Sequence, residues 1–209
     1  MIRAIICDDH TIVRRGLRQI LIESGRVEVV GEAANYRELR QVMKTTECQI
    51  LLCDIEMPGK NGIEIAELVI RDYPKTAVIV LSIYPEDQYA IRALKAGASG
   101  YLNKDSAPEK LMEAVLQVAA GKKFISPEVS QSLLEMFSGR ADRITHQSLS
   151  DREFQVMRLI ANGKKLSEIA EALSLSPKTV SVYRARILEK LRLANNVEIA
   201  HYASKNGLV

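Results

Sequence analysis

The chain has 209 residues, of which 47% are hydrophobic, with 29 Lys plus Arg against 26 Asp plus Glu. A net charge of +3 excludes both a polybasic tail protein and an acidic disordered chain, and the apolar share is ample for a packed core. The charge is unevenly placed: residues 1–120 carry 15 basic and 17 acidic side chains, 121–147 carry 4 and 3, and 148–209 carry 10 and 6. The basic C-terminal part is therefore the one expected to meet nucleic acid.

Cys7, Cys48 and Cys53 form no metal-ligand spacing, and two of them sit in apolar runs. They are expected to be buried, reduced thiols. The first apolar stretch ends at Asp8-Asp9, too soon for a signal peptide. The longest apolar runs fall far short of the roughly 20 residues a membrane span needs. These features predict a soluble, cytoplasmic protein with no membrane partner.

Short apolar runs at 2–7, 27–30, 50–53, 77–82 and 100–103 read as strands. They are rich in Val, Ile and Leu and mostly lack alternation, the pattern of strands buried on both faces. Between them apolar residues recur at helical spacing: Ile12, Val13, Leu17, Ile20 and Leu21; Tyr36, Leu39, Val42 and Met43; Ile63, Ala66 and Ile70; Ile91 and Leu94; Leu111, Met112, Val115, Leu116 and Ala119. Five strand–helix repeats with right-handed crossovers predict a doubly wound, five-stranded parallel sheet of the flavodoxin-like kind over residues 1–120. Gly121 closes the fifth helix, and Ser126-Pro127-Glu128 can start another with a stripe of Val129, Leu133, Leu134 and Phe137. The pattern then fades, so 121–147 reads as a helical connector ending in a flexible linker at 138–147.

Residues 148–209 read as a smaller all-α domain. Ser150 and Glu153 form a capping box for the first helix, which stops at Asn162-Gly163. A short helix starts at Ser167, Ser174-Leu175 turns, Ser176 caps, and Pro177 takes the first position of a third helix running to about Leu193. A fourth begins near Asn195. The short helix, turn and third helix form a helix-turn-helix candidate.

In open α/β sheets, ligands bind beyond the carboxyl ends of the strands. Asp8 and Asp9 follow the first strand and Asp54 the third, so three carboxylates are predicted to share one pocket. Like charges so close repel, and a hard divalent cation, Mg²⁺ by expectation, relieves the conflict. Ser82 at the end of the fourth strand and Lys104 after the fifth complete a phosphate-handling set. Asp54 can attack phosphorus, Lys104 can neutralise the oxygens and Ser82 can donate a hydrogen bond. Any one of these residues alone is more often a surface acid, a cap or a solvated cation. Their joint placement carries the reading.

Ile6-Cys7-Asp8-Asp9-His10, Cys53-Asp54-Ile55-Glu56-Met57-Pro58-Gly59, Leu81-Ser82 and Gly100-Tyr101-Leu102-Asn103-Lys104 resemble, in order and spacing, the receiver domain of two-component response regulators. The resemblance implies phosphorylation of Asp54 by a sensor histidine kinase. It also implies Mg²⁺ held by Asp9, Asp54 and the backbone carbonyl of Glu56, with Asp8 acting through water, and a switch pair of Ser82 and Tyr101. Asn61 stands where Asp is frequent, and Asp105 rather than Pro follows Lys104.

The third C-terminal helix carries Lys178, Arg184, Arg186 and Lys190, and Arg192 follows, against Glu189. A basic capped helix suits phosphate contact. With Leu149-Ser150-Asp151-Arg152-Glu153, Ala161-Asn162-Gly163, Glu168-Ile169-Ala170, Ser176-Pro177-Lys178-Thr179-Val180 and Lys190-Leu191, the segment resembles the DNA-binding domain of LuxR/NarL (FixJ) regulators. That resemblance implies a third helix in the major groove of double-stranded DNA, read from Lys178, Thr179, Ser181, Val182 and Arg184 or Ala185. Arg186 and Lys190 are further candidate contacts. Ser181 and Tyr183 stand where many members carry Lys and His. Arg184 and Arg186 lie about 200° apart around a helix and cannot share one groove wall.

The whole predicts a transcription regulator, not an enzyme beyond its own Mg²⁺-dependent phosphorylation and dephosphorylation. Phosphorylation is expected to release or dimerise the DNA-binding domain, giving a homodimer on DNA. An aspartate-nucleophile phosphatase is the enzymatic alternative. Such enzymes usually place the nucleophile after the first strand with a second Asp two residues later, whereas residue 56 is Glu here. A regulator that has lost phosphorylation would not need the complete set of Asp9, Asp54, Ser82 and Lys104.

Overall fold

The computed structural model describes residues 1–84, 86–127, 129–131 and 146–209. Two compact units divide the chain, Met1–Ser138 and Gly139–Val209. In the first unit, strands β1 (Ile2–Cys7), β2 (Val27–Ala33), β3 (Ile50–Asp54), β4 (Ala77–Ser82) and β5 (Gly100–Asn103) alternate with helices α1 (Thr11–Glu23), α2 (Tyr36–Thr45), α3 (Gly62–Asp72), α4 (Glu86–Lys95) and α5 (Pro108–Ala119). The strands pair in parallel in the order β2-β1-β3-β4-β5. This is the doubly wound, flavodoxin-like sheet that the alternating pattern predicts.

Central strand β3 is buried along its whole length, whereas edge strand β2 is half-exposed over four of its seven residues. The core on the α1 and α5 side gathers Ala4, Ile6, Ile50, Leu52, Ile79 and Leu81 against Leu21, Leu111, Val115 and Val118. Burying such side chains at roughly 25 cal/mol per Å² is the main force behind the sheet. Strand β2 runs three residues further than expected, to Ala33, because Gly31, Glu32 and Ala33 pair with Ile5, Ile6 and Cys7 of β1. Glu32 accepts from Arg18 at 3.1 Å and lies 3.6 Å from Arg14 Nε. All three cysteines are buried and unpaired with one another by disulfide.

The order β2-β1-β3 reverses direction between β1 and β3, so a crevice opens beyond Cys7 and Asp54. Residues 127 and 129–131 begin the predicted connector helix. Its Leu133, Leu134 and Phe137, and the linker as far as residue 145, lie outside the described residues.

The second unit contains a 3₁₀ turn (His146–Ser148) and helices α6 (Asp151–Ala161), α7 (Leu166–Ala172), α8 (Pro177–Leu191) and α9 (Asn196–Lys205). The Ser150 capping box forms as predicted, with Ser150 Oγ accepting from Glu153 N and Glu153 Oε2 from Ser150 N at 2.8 Å. Helix α7 starts at Leu166 rather than Ser167. Glu168 folds back onto the N–H of Lys165, which lets the helix begin one residue earlier without a hydroxyl cap. Helix α8 stops at Leu191, short of Leu193, because Arg192 turns left-handed with φ 55°. Among the described residues no helix is long and apolar enough to cross a membrane.

Candidate phosphoacceptor pocket and nucleic-acid interface

Asp8 follows β1 directly and Asp54 ends β3, and both side chains are buried. Residues Cys7 and Cys53 are paired across β1 and β3, which brings the two carboxylates side by side. Lys104, on the loop after β5, reaches between them: its Nζ is 2.7 Å from Asp8 Oδ2 and 2.9 Å from Asp54 Oδ2. Asp9 stands at the rim, about one-third exposed, with His10 Nδ1 2.8 Å from its Oδ1. The His10 N–H donates to Asp8 Oδ1 at 2.8 Å and Arg14 donates to the Asp8 carbonyl at 2.6 Å. Together these bonds fix the turn from β1 into α1.

Burial pushes the Asp54 carboxyl up to about 6, Lys104 pulls it down, and Asp8 pushes it up again. Burial alone would depress the Lys104 ammonium, but Asp54 and Asp8 outweigh it and hold it above its ordinary value. The pocket therefore holds more negative charge than one lysine balances. Donor atoms of Asp8, Asp9, His10 and Asp54 lie within 4.8 Å of one another. Three carboxylates at that spacing, half-open to solvent on the Asp9 side, fit a hard divalent cation that keeps some of its water.

Ser82 is buried at the end of β4. Its hydroxyl accepts from the N–H of Tyr84 at 3.0 Å, and its carbonyl accepts from the N–H of Lys104 at 2.7 Å. Tyr101 is buried in β5 and donates its hydroxyl to the Tyr84 carbonyl at 2.9 Å. Asn103 donates to the same carbonyl at 3.2 Å and accepts from Asp105 N at 2.8 Å. Asn103 thus shapes the Lys104 loop, and no cis peptide occurs among the described residues. The Tyr84 hydroxyl bonds the Glu56 carboxylate, joining the loops after β3 and β4.

Asn61, the departure from the frequent Asp, caps α3: its Oδ1 accepts from Glu64 N at 2.8 Å and its own N–H donates to Glu64. Three contributors were missed by sequence reasoning: Tyr84, Asn103 as a loop clamp, and Gly62. Gly62 packs so tightly on the Asp54 and Ile55 backbone that a β-carbon would overlap it. The Asn61-Gly62 dipeptide was the available signal for a helix start pressed against a strand end.

In the second unit, Ser176 caps α8 by accepting from Thr179 N at 3.0 Å, and Pro177 takes its first position. The left-handed Ser174 (φ 54°) makes the turn between α7 and α8. Val180, Ile187 and Leu191 are buried, while Lys178, Ser181, Val182, Ala185 and Arg186 are exposed. Thr179 and Arg184 are half-buried, and Arg184 Nε donates to Asn196 Oδ1 of α9 at 2.6 Å. Lys190, a further candidate contact, is exposed and also pairs within the unit. Its ammonium lies 2.6 Å from buried Glu153 Oε2 and 3.3 Å from the Ser148 carbonyl, tying α8 to the cap of α6. A cation already neutralised by a buried carboxylate is a fold contact before it is a phosphate contact.

Residues 4–116, more than half of the chain, match the family model of the response regulator receiver domain, and residues 147–203 match that of bacterial regulatory proteins of the luxR family. The chain belongs to the response regulators. It is a DNA-binding transcription regulator controlled by phosphorylation, of the family whose members join a receiver to a luxR-type domain. This regulator is 37% identical over 210 residues to response regulator GacA of Pseudomonas aeruginosa, covering 100% of this chain and 98% of that one. It is 35% identical over 209 residues to response regulator UvrY of Escherichia coli, covering 100% and 96%. Among solved structures, it resembles RcsB from Salmonella enterica serovar Typhimurium bound to promoter P1flhDC in the presence of the phosphomimetic BeF3⁻. That likeness has TM-score 0.69 and 29% identity, covering 98% of each chain. Family membership is that of a regulator rather than a classical enzyme.

Proposed function

We propose that this regulator is the cytoplasmic half of a two-component pair and that Asp54 takes the phosphoryl group of a partner histidine kinase. The Lys104 ammonium between Asp8 and Asp54, at 2.7 and 2.9 Å, is the observation that carries the assignment. It sets a fixed cation beside two buried carboxylates, Asp8 and the strand-end Asp54, and the one at the strand end is placed for an in-line attack on phosphorus. An Asp54 oxygen forms the new bond to phosphorus, the bond from phosphorus to the donor imidazole nitrogen breaks with its electron pair going to that nitrogen, and the ring leaves as neutral imidazole, keeping the proton already on its other nitrogen. Asp9, Asp54 and the Glu56 carbonyl, with Asp8 through water, are the residues that would hold Mg²⁺. When bound, Mg²⁺ neutralises charge on the phosphoryl oxygens.

Lys104 then pairs with the phosphoryl group, which carries roughly −1.5 to −2 charge. The Ser82 hydroxyl gives up the N–H of Tyr84 to donate to a phosphoryl oxygen, and Tyr101 follows the Tyr84 carbonyl. The chemistry of the chain goes no further than the gain and loss of this phosphate. In the DNA-binding domain of residues 148–209, the exposed and half-buried residues of α8's first turns, Lys178, Thr179, Ser181, Val182 and Arg184, read the major groove. Arg186 meets phosphate. The connector of residues 121–147 links this domain to the receiver of residues 1–120, and phosphorylation releases or dimerises it. The likeness to a structure of two RcsB dimers bound to two parallel DNAs (32% identity, TM-score 0.60) supports a dimer on DNA.

Acetyl phosphate with Mg²⁺ followed by intact mass tests the phosphoacceptor. Wild type gains one phosphoryl group and Asp54→Asn gains none. Equal gain by the two proteins overturns the assignment.

A further inference from the structure

Lys190 and Arg184 of α8 are both held by side chains from other helices, and they are held differently. Lys190 meets the Glu153 carboxylate at 2.6 Å, which matches its charge. Arg184 meets an amide: its Nε donates to Asn196 Oδ1 of α9, also at 2.6 Å, and among the described residues no carboxylate pairs with it. An amide oxygen fixes a guanidinium in place and leaves its positive charge unmatched. It also occupies one edge only. The N–H groups of the two terminal nitrogens remain, in the planar fork that meets paired acceptors.

The Asn196 side chain is not what starts α9. That cap is Asn195, whose Oδ1 accepts from Glu198 N at 3.0 Å, while Glu198 Oε2 accepts from Ala194 N at 2.8 Å. Asn196 is an exposed first helical residue whose oxygen serves Arg184, 12 residues earlier. Around α8, Arg184 lies about 60° from exposed Ser181 and about 40° from buried Val180. It is half-buried, on the border between the face that packs and the face that carries Lys178, Ser181, Val182 and Ala185. A long side chain left unheld there would have to be ordered on binding, at a cost in affinity.

We propose that Asn196 is a positioning residue for DNA binding. It holds the Arg184 guanidinium, still charged, with its terminal fork ready for paired acceptors of the duplex, phosphate oxygens or a guanine edge. The pair is thus the counterpart of Lys190 and Glu153, where the holding group consumes the charge. That Arg184 touches DNA belongs to the proposed reading of α8, on which this inference rests; the role of Asn196 goes beyond it.

Affinity of the full-length protein for a duplex that the wild type selects from random DNA tests this as a double-mutant cycle. Arg184→Met is expected to weaken binding at least about ten-fold, and Asn196→Ala about five-fold. In the Arg184→Met background, Asn196→Ala is expected to change nothing. Asn196→Asp keeps the bond but neutralises the guanidinium. It is expected to unfold at the wild-type midpoint or above and yet to bind about ten-fold more weakly. Salt dependence places the acceptors: in Arg184→Met, a slope of log affinity against log salt shallower by about one puts them on phosphate. An unchanged slope with relaxed choice at one base pair puts them on guanine. Wild-type affinity in Asn196→Ala or in Asn196→Asp, or an equal loss from Asn196→Ala in both backgrounds, overturns the inference while Arg184 keeps its contact. Wild-type affinity in Arg184→Met would instead sink the contact of Arg184 with DNA, and the inference with it.

Discussion

Gly62 lies directly against Asp54: no β-carbon fits between the first residue of α3 and the carbonyl of the last residue of β3. The contact is sealed by the Gly62 N–H, which donates to the Ile55 carbonyl at 2.9 Å. Helix propensity would favour Ala at this position by about 1 kcal/mol. Overpacking against backbone, which cannot rotate away, costs about 1–3 kcal/mol and wins. Gly62→Ala is expected to lower stability by about 1–2 kcal/mol and to slow phosphate uptake by moving the Asp54 backbone. Thermal unfolding and timed intact-mass measurements check both; wild-type values for both contradict the packing argument.

Asp54 makes the free receiver less stable as pH rises. Its folded pKa of about 6 exceeds the ordinary 3.8, so the folded state binds more protons than the unfolded state between those values. Stability is lost as pH climbs through that window, and the loss is complete above it. Asp54→Asn fixes the neutral form. It is expected to gain about 3 kcal/mol at pH 7.5 and nothing near pH 3.5. Denaturant unfolding at the two pH values reads the difference, and an equal gain at both would contradict the buried-carboxylate account.

Mg²⁺ is expected to raise the wild-type unfolding midpoint, since an ion that binds the folded state alone stabilises it by mass action. Asp54→Asn, having lost a ligand, should respond less at the same concentration. Chelator added to the wild type should return the midpoint to its metal-free value. A midpoint indifferent to Mg²⁺ contradicts the proposed ligand set.

Buried Glu153 and exposed Lys190 form an ion pair within the second unit. Burial works against the Glu153 charge, but the Lys190 ammonium and the Ser150 N–H outweigh it and hold the carboxyl below its ordinary value. Its stabilising effect is present above that ordinary value and lost as pH falls through the depressed one. Lys190→Met leaves Glu153 buried without its cation and is expected to cost about 1–3 kcal/mol at pH 7. Calorimetry on the full chain should show one transition shifted; an unchanged profile contradicts the pairing.

Salt dependence separates the DNA contacts from the fold contacts of α8. Each phosphate contact contributes about 0.9 to the slope of log affinity against log salt. Arg186→Ala should reduce that slope by about one. Lys190→Met should leave it nearly unchanged, because its charge is already matched by Glu153. The reverse order of slopes would return Lys190 to the interface.

The sheet was legible because strands buried on both faces and helices with one apolar stripe leave separate periodicities in the sequence. The acids at the ends of β1 and β3 were legible for the same reason, since strand ends in such a sheet converge. What could not be read depended on residues far apart in the chain. The three extra residues of β2 rest on their pairing with Ile5, Ile6 and Cys7 of β1. Lys190 looked like part of a basic helix face until its partner, 37 residues away, came beside it. Asn61 read as a departure from a motif, whereas locally it is the cap that starts α3. Tyr84 had no sequence signal at all, because its role is to be held by Ser82, Tyr101 and Asn103 at once.

The central claim is that phosphate on Asp54 controls DNA binding by α8. Sites selected from random DNA by the phosphorylated protein supply the probe, and affinity for that probe is then measured with and without acetyl phosphate in wild type and in Asp54→Asn. Wild type is expected to gain at least about ten-fold, equivalent to about 1.4 kcal/mol, and Asp54→Asn nothing. An equal gain in both proteins, or no gain in a wild type whose mass shows the added phosphate, would contradict it.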